Sequence, residues 1–148
     1  MARREHLRQL KAFAEIREAQ QRAADARLAE AQRSVARQEA RLSVEQERQA
    51  DRGEAWAVSA AQGRIDLPLA LAWSHALLEG EVTVARAGRA VQRAEDRCDG
   101  ARVASREAEA RREAIDDVVA QATRRARRCA EEASIADAAD LFAQRRAP

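Results

Sequence analysis

The sequence predicts an all-α protein, a long antiparallel two-helix coiled-coil hairpin spanning residues 1–148 as a single unit. Of its residues 35% are charged and only 3% aromatic, which is typical of long helices and leaves too few bulky side chains for a globular core. Apolar residues recur every seven positions on both sides of the chain centre, and Gly63 with Pro68 interrupts them. A disordered chain would share the composition but would lack the repeat.

The first predicted helix covers about residues 2–61. It contains no proline, and Gly53 is its one glycine, so nothing inside it signals a stop. One heptad position is mostly apolar, but its partner position includes Arg17, Gln38 and Glu45, so the contact seam is thin. The heptad position consists of Leu7, Ala14, Gln21, Leu28, Val35, Leu42, Gln49 and Trp56.

The predicted bend covers about residues 62–70. Asp66 suits the N-cap of a second helix, and Pro68 suits its first turn. That helix is expected to begin near Leu69 or Leu71 and to cover about residues 71–144. The alternative is one continuous helix in a parallel dimer, kinked at Pro68, although a nearby glycine and proline together favour the hairpin.

The second helix has the stronger heptad pattern, because its two seam positions hold mainly small or apolar residues. The first position holds Trp73, Gly80, Ala87, Ala94, Ala101, Ala108, Ile115, Ala122, Cys129, Ala136 and Ala143. The second holds Leu77, Val84, Val91, Cys98, Ser105, Arg112, Val119, Ala126, Ala133 and Asp140. Folding at the bend then predicts Leu28 opposite Ser105 and Trp56 opposite Leu77. About 16 residues from Ala133 onward would overhang, on a rod about 90 Å long.

The sequence offers little for catalysis. His6 and His75 lie near opposite predicted ends, the glycines are isolated, and no cluster has metal-ligand spacing. Cys98 and Cys129 would lie about 45 Å apart on one helix, so they are expected to be reduced. We therefore expect no enzymatic activity, no catalytic residues, no metal and no cofactor.

Charge and hydropathy also limit the partners. The net charge is only +2 with both signs interspersed, which argues against nucleic acid as a partner. No stretch has the length and apolarity of a signal peptide or a membrane span, so we expect a cytoplasmic protein without direct membrane insertion.

Arginine is concentrated where the two chain ends would meet. Adjacent acidic residues at Glu131 and Glu132 allow a solvated face with local ion pairs, whereas unpaired arginines would form a docking surface for an acidic partner. The residues predicted for that surface are Arg3, Arg4, Arg8, Arg124, Arg125, Arg127 and Arg128.

Bulky apolar residues are concentrated at the bend, where Leu71 and Leu78 belong to the same cluster. They could form a small local core that closes the turn, or an exposed binding surface, and both can hold at once. The residues predicted for partner binding are Trp56, Ile65, Leu67, Leu69, Trp73 and Leu77.

These patterns resemble the FliJ/YscO family of type III export stalk proteins. The residues that carry the resemblance are Leu7-x-x-Leu10, Ile16-Arg17-Glu18, the run from Ser105 to Asp116, Glu131-Glu132, Asp137 and Asp140. Residues 67–78 are similar to the mid-chain segment of the plant-associated Hrp branch. A lysine common in the second helix of flagellar members is absent, and Arg111-Arg112 stands there instead.

The resemblance implies a non-enzymatic central stalk of a type III secretion or flagellar export apparatus. The helical termini would enter the pore of a hexameric export ATPase, and the bend would reach the export gate membrane protein at the inner membrane. Some members also bind export chaperones. Two alternatives stay open: a cytoplasmic coiled-coil scaffold or export chaperone that binds partner helices, and a peripheral binder of nucleic acid or membrane surfaces using the basic end.

Overall fold

The computed structural model describes the backbone of residues 2–63 and 65–146, and the side chains of residues 5–63 and 65–139. It contains α1 (Ala2–Ala61) and α2 (Leu67–Arg146). The two helices pack against each other, and the described residues include no strand, so the predicted all-α helical hairpin is confirmed. The first helix has the predicted bounds.

The end of α1 is defined by Gly63. Its φ of 66° lies in the left-handed region that glycine adopts without strain, and its N–H donates to the Ala60 carbonyl at 3.1 Å. The Gln62 N–H donates to the Val58 carbonyl at 3.2 Å. These bonds satisfy two of the carbonyls that a helix end leaves without partners, so the chain can leave the helix here.

The start of α2 is defined by Asp66, as predicted. Its Oδ1 accepts the Leu69 N–H at 2.9 Å, and its carbonyl accepts the Ala70 N–H, also at 2.9 Å. The helix therefore begins at Leu67, with Pro68 in its first turn, and not at 69–71. The cap residue adjoins the first turn directly, so the bend is shorter than predicted. At the other end α2 continues to Arg146 rather than to about residue 144.

The chain forms two compact units, each with part of both helices. The terminal unit comprises Met1–Asp25 and Ala104–Pro148, and the bend unit comprises Ala26–Val103. Buried hydrophobic side chains are few among those described: Ala94 and Cys98 in the bend unit and Ile115 in the terminal unit. All three occupy predicted seam positions, as expected when two helices bury only one stripe each.

Burial follows the predicted seam closely. Every seam position of α1 from Leu7 to Trp56 is half-buried, and those of α2 from Trp73 to Cys129 are half-buried or buried. From residue 130 to 139 every side chain is exposed. This agrees with the prediction that α2 continues past its contact with α1, for the part of the overhang whose side chains are described.

The contacts place the helices in a different register from the predicted one. In the bend unit Trp56 meets Trp73, with ring centroids 6.1 Å apart, where Leu77 was predicted. That is a shift of about one helical turn. In the terminal unit Ser105 donates to Asp25 Oδ1 at 2.6 Å, where Leu28 had been placed opposite it. The earlier start of α2 and the packing of the Gln49 side chain against Gly80, described below, accompany this shift.

Candidate partner-binding surfaces

Four of the predicted arginines lie together on α2 of the terminal unit, and all four are exposed: Arg124, Arg125, Arg127 and Arg128. Among the side chains that the structure describes, none of them forms an ion pair within 4.0 Å. The pairs with Glu131 and Glu132 that the sequence allows are thus not formed. Four guanidiniums with no ion pair to a described side chain make this stretch of helix a local positive surface.

The remaining arginines of the predicted basic surface lie on α1. Arg8 is exposed and donates to Glu5 at 2.6 Å within α1, which offsets its charge locally. The side chains of Arg3 and Arg4 lie outside the described residues. Among the described side chains, the exposed and unpaired arginines of the predicted basic surface thus lie on α2. Of its α1 arginines only Arg8 has a described side chain, and Arg8 is paired.

A groove adjoins the arginines, and sequence reasoning missed it. It holds about 530 Å³ between α1 and α2 of the terminal unit. Apolar and small side chains form most of its lining, and charged ones form its edge. The lining residues are His6, Leu7, Leu10, Val118, Gln121, Ala122, Arg125, Ala126, Arg128, Cys129 and Glu132. The available signal was the alanine-rich seam of α2, because alanines opposite Leu7 and Leu10 do not fill the space between two helices.

In the bend unit the predicted apolar cluster divides into two parts. Trp56 and Trp73 are half-buried against each other, tilted by 45°, and Ile65 and Leu77 are also half-buried. These four side chains fit the interpretation as a local core that closes the turn. Leu67 and Leu69 are exposed, so they fit the alternative of an accessible surface.

Leu67 belongs to a longer exposed row, which we call the apolar stripe: Leu67, Leu71, Leu78 and Val82. Their exposed fractions are 73%, 63%, 62% and 54%. Spacings of four and seven residues place them on one face of α2. Sequence reasoning assigned the three leucines to the bend cluster but missed Val82 and the common face, although the spacing alone indicates it.

Two carboxylates outside these surfaces, Glu18 and Glu30, have lowered pKa values because of neighbouring arginines. The hydrogen bond from Arg22 and its charge, with a smaller effect of Arg112, lower the pKa of Glu18. The pKa of Glu30 is lowered in the same way, by Arg37 first and then Arg33. Among the described residues no group of three His, Cys, Asp or Glu side chains could hold a metal ion. No described helix is long and apolar enough to cross a membrane.

No family model matches this sequence, and neither a curated protein nor a solved structure similar to it was found. The helical hairpin by itself is compatible with many functions, because fold does not determine function. Function must therefore be inferred from the chain's own surfaces, and two stand out: the arginine-edged groove and the exposed apolar residues after the bend.

Proposed function

We propose that the protein is a non-enzymatic stalk and coupling component of a type III secretion or flagellar export apparatus. In this role the terminal unit binds the hexameric export ATPase, and the residues around the bend bind the export gate. The observation that carries the proposal is the set of four exposed arginines, beside an apolar groove, that form no ion pair with any side chain the structure describes. The resemblance to export stalk proteins supports the same partners.

The arginines suit an acidic ring pore for a physical reason. Exposed charges act mainly on the rate of encounter and on orientation, and screening by salt weakens them. The groove next to them supplies apolar area, which holds a partner after encounter. Binding to the ATPase should therefore depend on salt through Arg124–Arg128 and on packing through the groove.

The apolar residues after the bend suit a second partner. Leu67 and Leu69 are exposed, whereas Trp56 and Trp73 hold the turn together from inside. An exposed apolar surface on a chain so rich in charge is typical of a protein contact. The proposal assigns Leu67 and Leu69 to the export gate and gives the tryptophans a supporting role.

The proposal is tested with the purified hexameric ATPase of the same secretion system. Adding the protein should increase ATP hydrolysis and ring assembly. Reversing all four arginines to glutamate should abolish both effects, while circular dichroism and the melting temperature show that the variant remains folded. A matched control reverses four exposed arginines of the bend unit: Arg86, Arg89, Arg93 and Arg97.

The control should retain stimulation, because those arginines lie outside the terminal unit. The proposal is wrong if the wild-type protein has no effect on the ATPase. It is equally wrong if the four reversals in the terminal unit leave both stimulation and secretion intact.

The groove also favours a second candidate, a scaffold or export chaperone that binds partner helices. The lining residues Leu7, Leu10 and Val118 offer the apolar contacts that an amphipathic helix uses. In that case Leu10→Asp should abolish binding of the partner helix without affecting the ATPase. Under the leading proposal the same substitution should instead weaken binding to the ATPase, because the groove then holds that partner.

A further inference from the structure

The apolar stripe lies on a face of α2 outside the contact seam with α1. The seam residues around it, among them Trp73, Leu77 and Gly80, are half-buried or buried, while all four stripe residues are more than half exposed. Aliphatic side chains in such a row are not needed for packing within the hairpin. They are large enough to form a small interface with another helix.

The spacing of the stripe is symmetric. Leu67 and Leu71 precede a midpoint between Ser74 and His75, and Leu78 and Val82 follow it at matching distances. Two antiparallel copies of this face would therefore bring Leu67 against Val82 and Leu71 against Leu78. A two-fold interface requires this property, because each contact must recur with the partners exchanged.

The charges around the stripe favour no oppositely charged partner. Glu79 and Glu81 balance Arg86 and Arg89 on the adjoining surface, and the stripe positions themselves are uncharged. Two like copies can therefore approach without net repulsion. A strongly acidic or basic partner would gain little here, in contrast to the arginines of the terminal unit.

A shallow groove of about 580 Å³ runs beside the stripe. Its lining includes Leu78 and Val82 from the stripe, and Arg52 of α1 forms part of its edge. Leucine side chains projecting from a second copy can occupy this groove. The groove of the second copy receives the leucines of the first copy in the same way. The bend unit thus offers both the projecting and the receiving part of one interface.

We propose that the protein forms an antiparallel two-fold dimer through the apolar stripe of α2. The contact involves four aliphatic side chains per copy, so the dimer is small and weak. The dimer does not depend on the export role. Leu67, which the proposed function assigns to the export gate, is covered in the dimer and is accessible to the gate in the monomer. Leu69 and Trp73 lie on other faces of α2, and Trp56 belongs to α1, so none of them is part of the stripe.

Sedimentation equilibrium of the isolated full chain tests the proposal. We expect a monomer–dimer equilibrium that Leu71→Asp and Leu78→Asp each weaken at least about 10-fold, because either places a carboxylate in an apolar contact. The matched control is Val103→Asp, since Val103 is exposed on α2 of the same unit but lies outside the stripe. It should leave the equilibrium unchanged.

A charge pair tests the antiparallel arrangement. Leu71→Lys alone should weaken the dimer, whereas the double variant Leu71→Lys/Leu78→Asp should recover much of the affinity. Residue 71 of one copy faces residue 78 of the other only when the helices run antiparallel. In a parallel pair the double variant would bring like charges together and would associate no better than either single variant.

Cysteine cross-linking locates the two-fold axis. In a chain with Cys98→Ala and Cys129→Ala, His75→Cys should form an interchain disulfide under mild oxidation, because residue 75 lies next to its counterpart. Val103→Cys should not, since it would lie roughly 40 Å along the helix from the axis. A chain that stays monomeric at 300 μM, assembles beyond dimers, or cross-links equally well from residue 103 would overturn the proposal. None of these results bears on ATPase stimulation.

Discussion

Gly80 allows a sharp test of how the helices pack in the bend unit. A side chain at this position would occupy the space that the Gln49 amide now fills, and its Cβ would lie 2.7 Å from Gln49 Cδ and 2.7 Å from Arg52 Nη1. Gln49 Nε2 donates to the Leu77 carbonyl at 3.0 Å. Gly80→Ala must therefore displace the amide and break this interhelical hydrogen bond.

The magnitude follows from two opposing effects. Replacing glycine by alanine within a helix stabilises the folded state by about 1 kcal/mol when nothing is in the way. Losing the Gln49 hydrogen bond costs about 1 kcal/mol. The two effects should nearly cancel, so Gly80→Ala should leave the free energy of unfolding almost unchanged.

Gly100 provides the matched control. It also lies on α2 of the bend unit, but a Cβ there would meet nothing within 4 Å. Gly100→Ala should thus stabilise the protein by the full ~1 kcal/mol. The free energy of unfolding of each variant is measured by urea denaturation followed by circular dichroism. The difference between the effects of Gly80→Ala and Gly100→Ala on this free energy isolates the contact with Gln49.

A double-mutant cycle completes the test. In a Gln49→Ala background the amide is gone, so Gly80→Ala should stabilise by about as much as Gly100→Ala does in the wild type. The reasoning is refuted if Gly80→Ala stabilises the wild-type protein as much as Gly100→Ala, since the amide would then not occupy the space beside Gly80. It is also refuted if Gly80→Ala changes the free energy of unfolding by the same amount in the Gln49→Ala background as in the wild type.

Three further substitutions test the cap, the ring pair and the surface charges. Asp66→Ala should destabilise the protein by about 1 kcal/mol in urea denaturation, whereas Asp66→Ser should retain most of the stability; equal losses would contradict the cap. Trp73→Ala should lower the free energy of unfolding by about 2 kcal/mol and change the fluorescence of Trp56, because the two rings are in contact. Unchanged Trp56 emission would contradict the ring contact. The lowered pKa of Glu18 means that its bond with Arg22 stabilises above the usual carboxyl range and is lost as the pH falls through the lowered pKa. Melting curves of Glu18→Gln should therefore depend less on acid pH than those of the wild type, and parallel curves would contradict the shift.

The sequence predicted the helices well because their signals are local. A glycine after α1 and an aspartate before α2 determine where backbone hydrogen bonding stops and resumes, and the structure uses Gly63 and Asp66 in these roles. The contact faces were predictable for the same reason, since the heptad repeat identifies each helix's buried stripe independently of its partner. The observed start of α2 differs from the predicted one because the residues directly after Asp66 already belong to the helix.

The candidate surfaces were only partly predictable. Clusters of arginine and leucine can be read from the sequence, but whether an arginine finds a carboxylate depends on side-chain conformation. Arg8 is paired, whereas Arg127 and Arg128 are not paired among the described side chains, although each has a glutamate four residues further along the helix. The groove could not be seen in the sequence, because it depends on the distance between two helices.

Register is the property that a heptad repeat specifies least. Sliding one helix by a turn exchanges one apolar seam position for the other, so Trp56 can face Leu77 or Trp73 at similar hydrophobic gain. The choice between these two registers must therefore depend on seam positions where the facing residues are unusual in size or polarity. In the bend unit one such layer pairs the large, polar Gln49 with Gly80, which has no side chain. Moving the helices by a turn would bring Gln49 against a bulkier neighbour and remove its bond to the Leu77 carbonyl. We infer that this polar layer, which weakens the seam, contributes to the choice of register, as single polar residues do in other coiled coils.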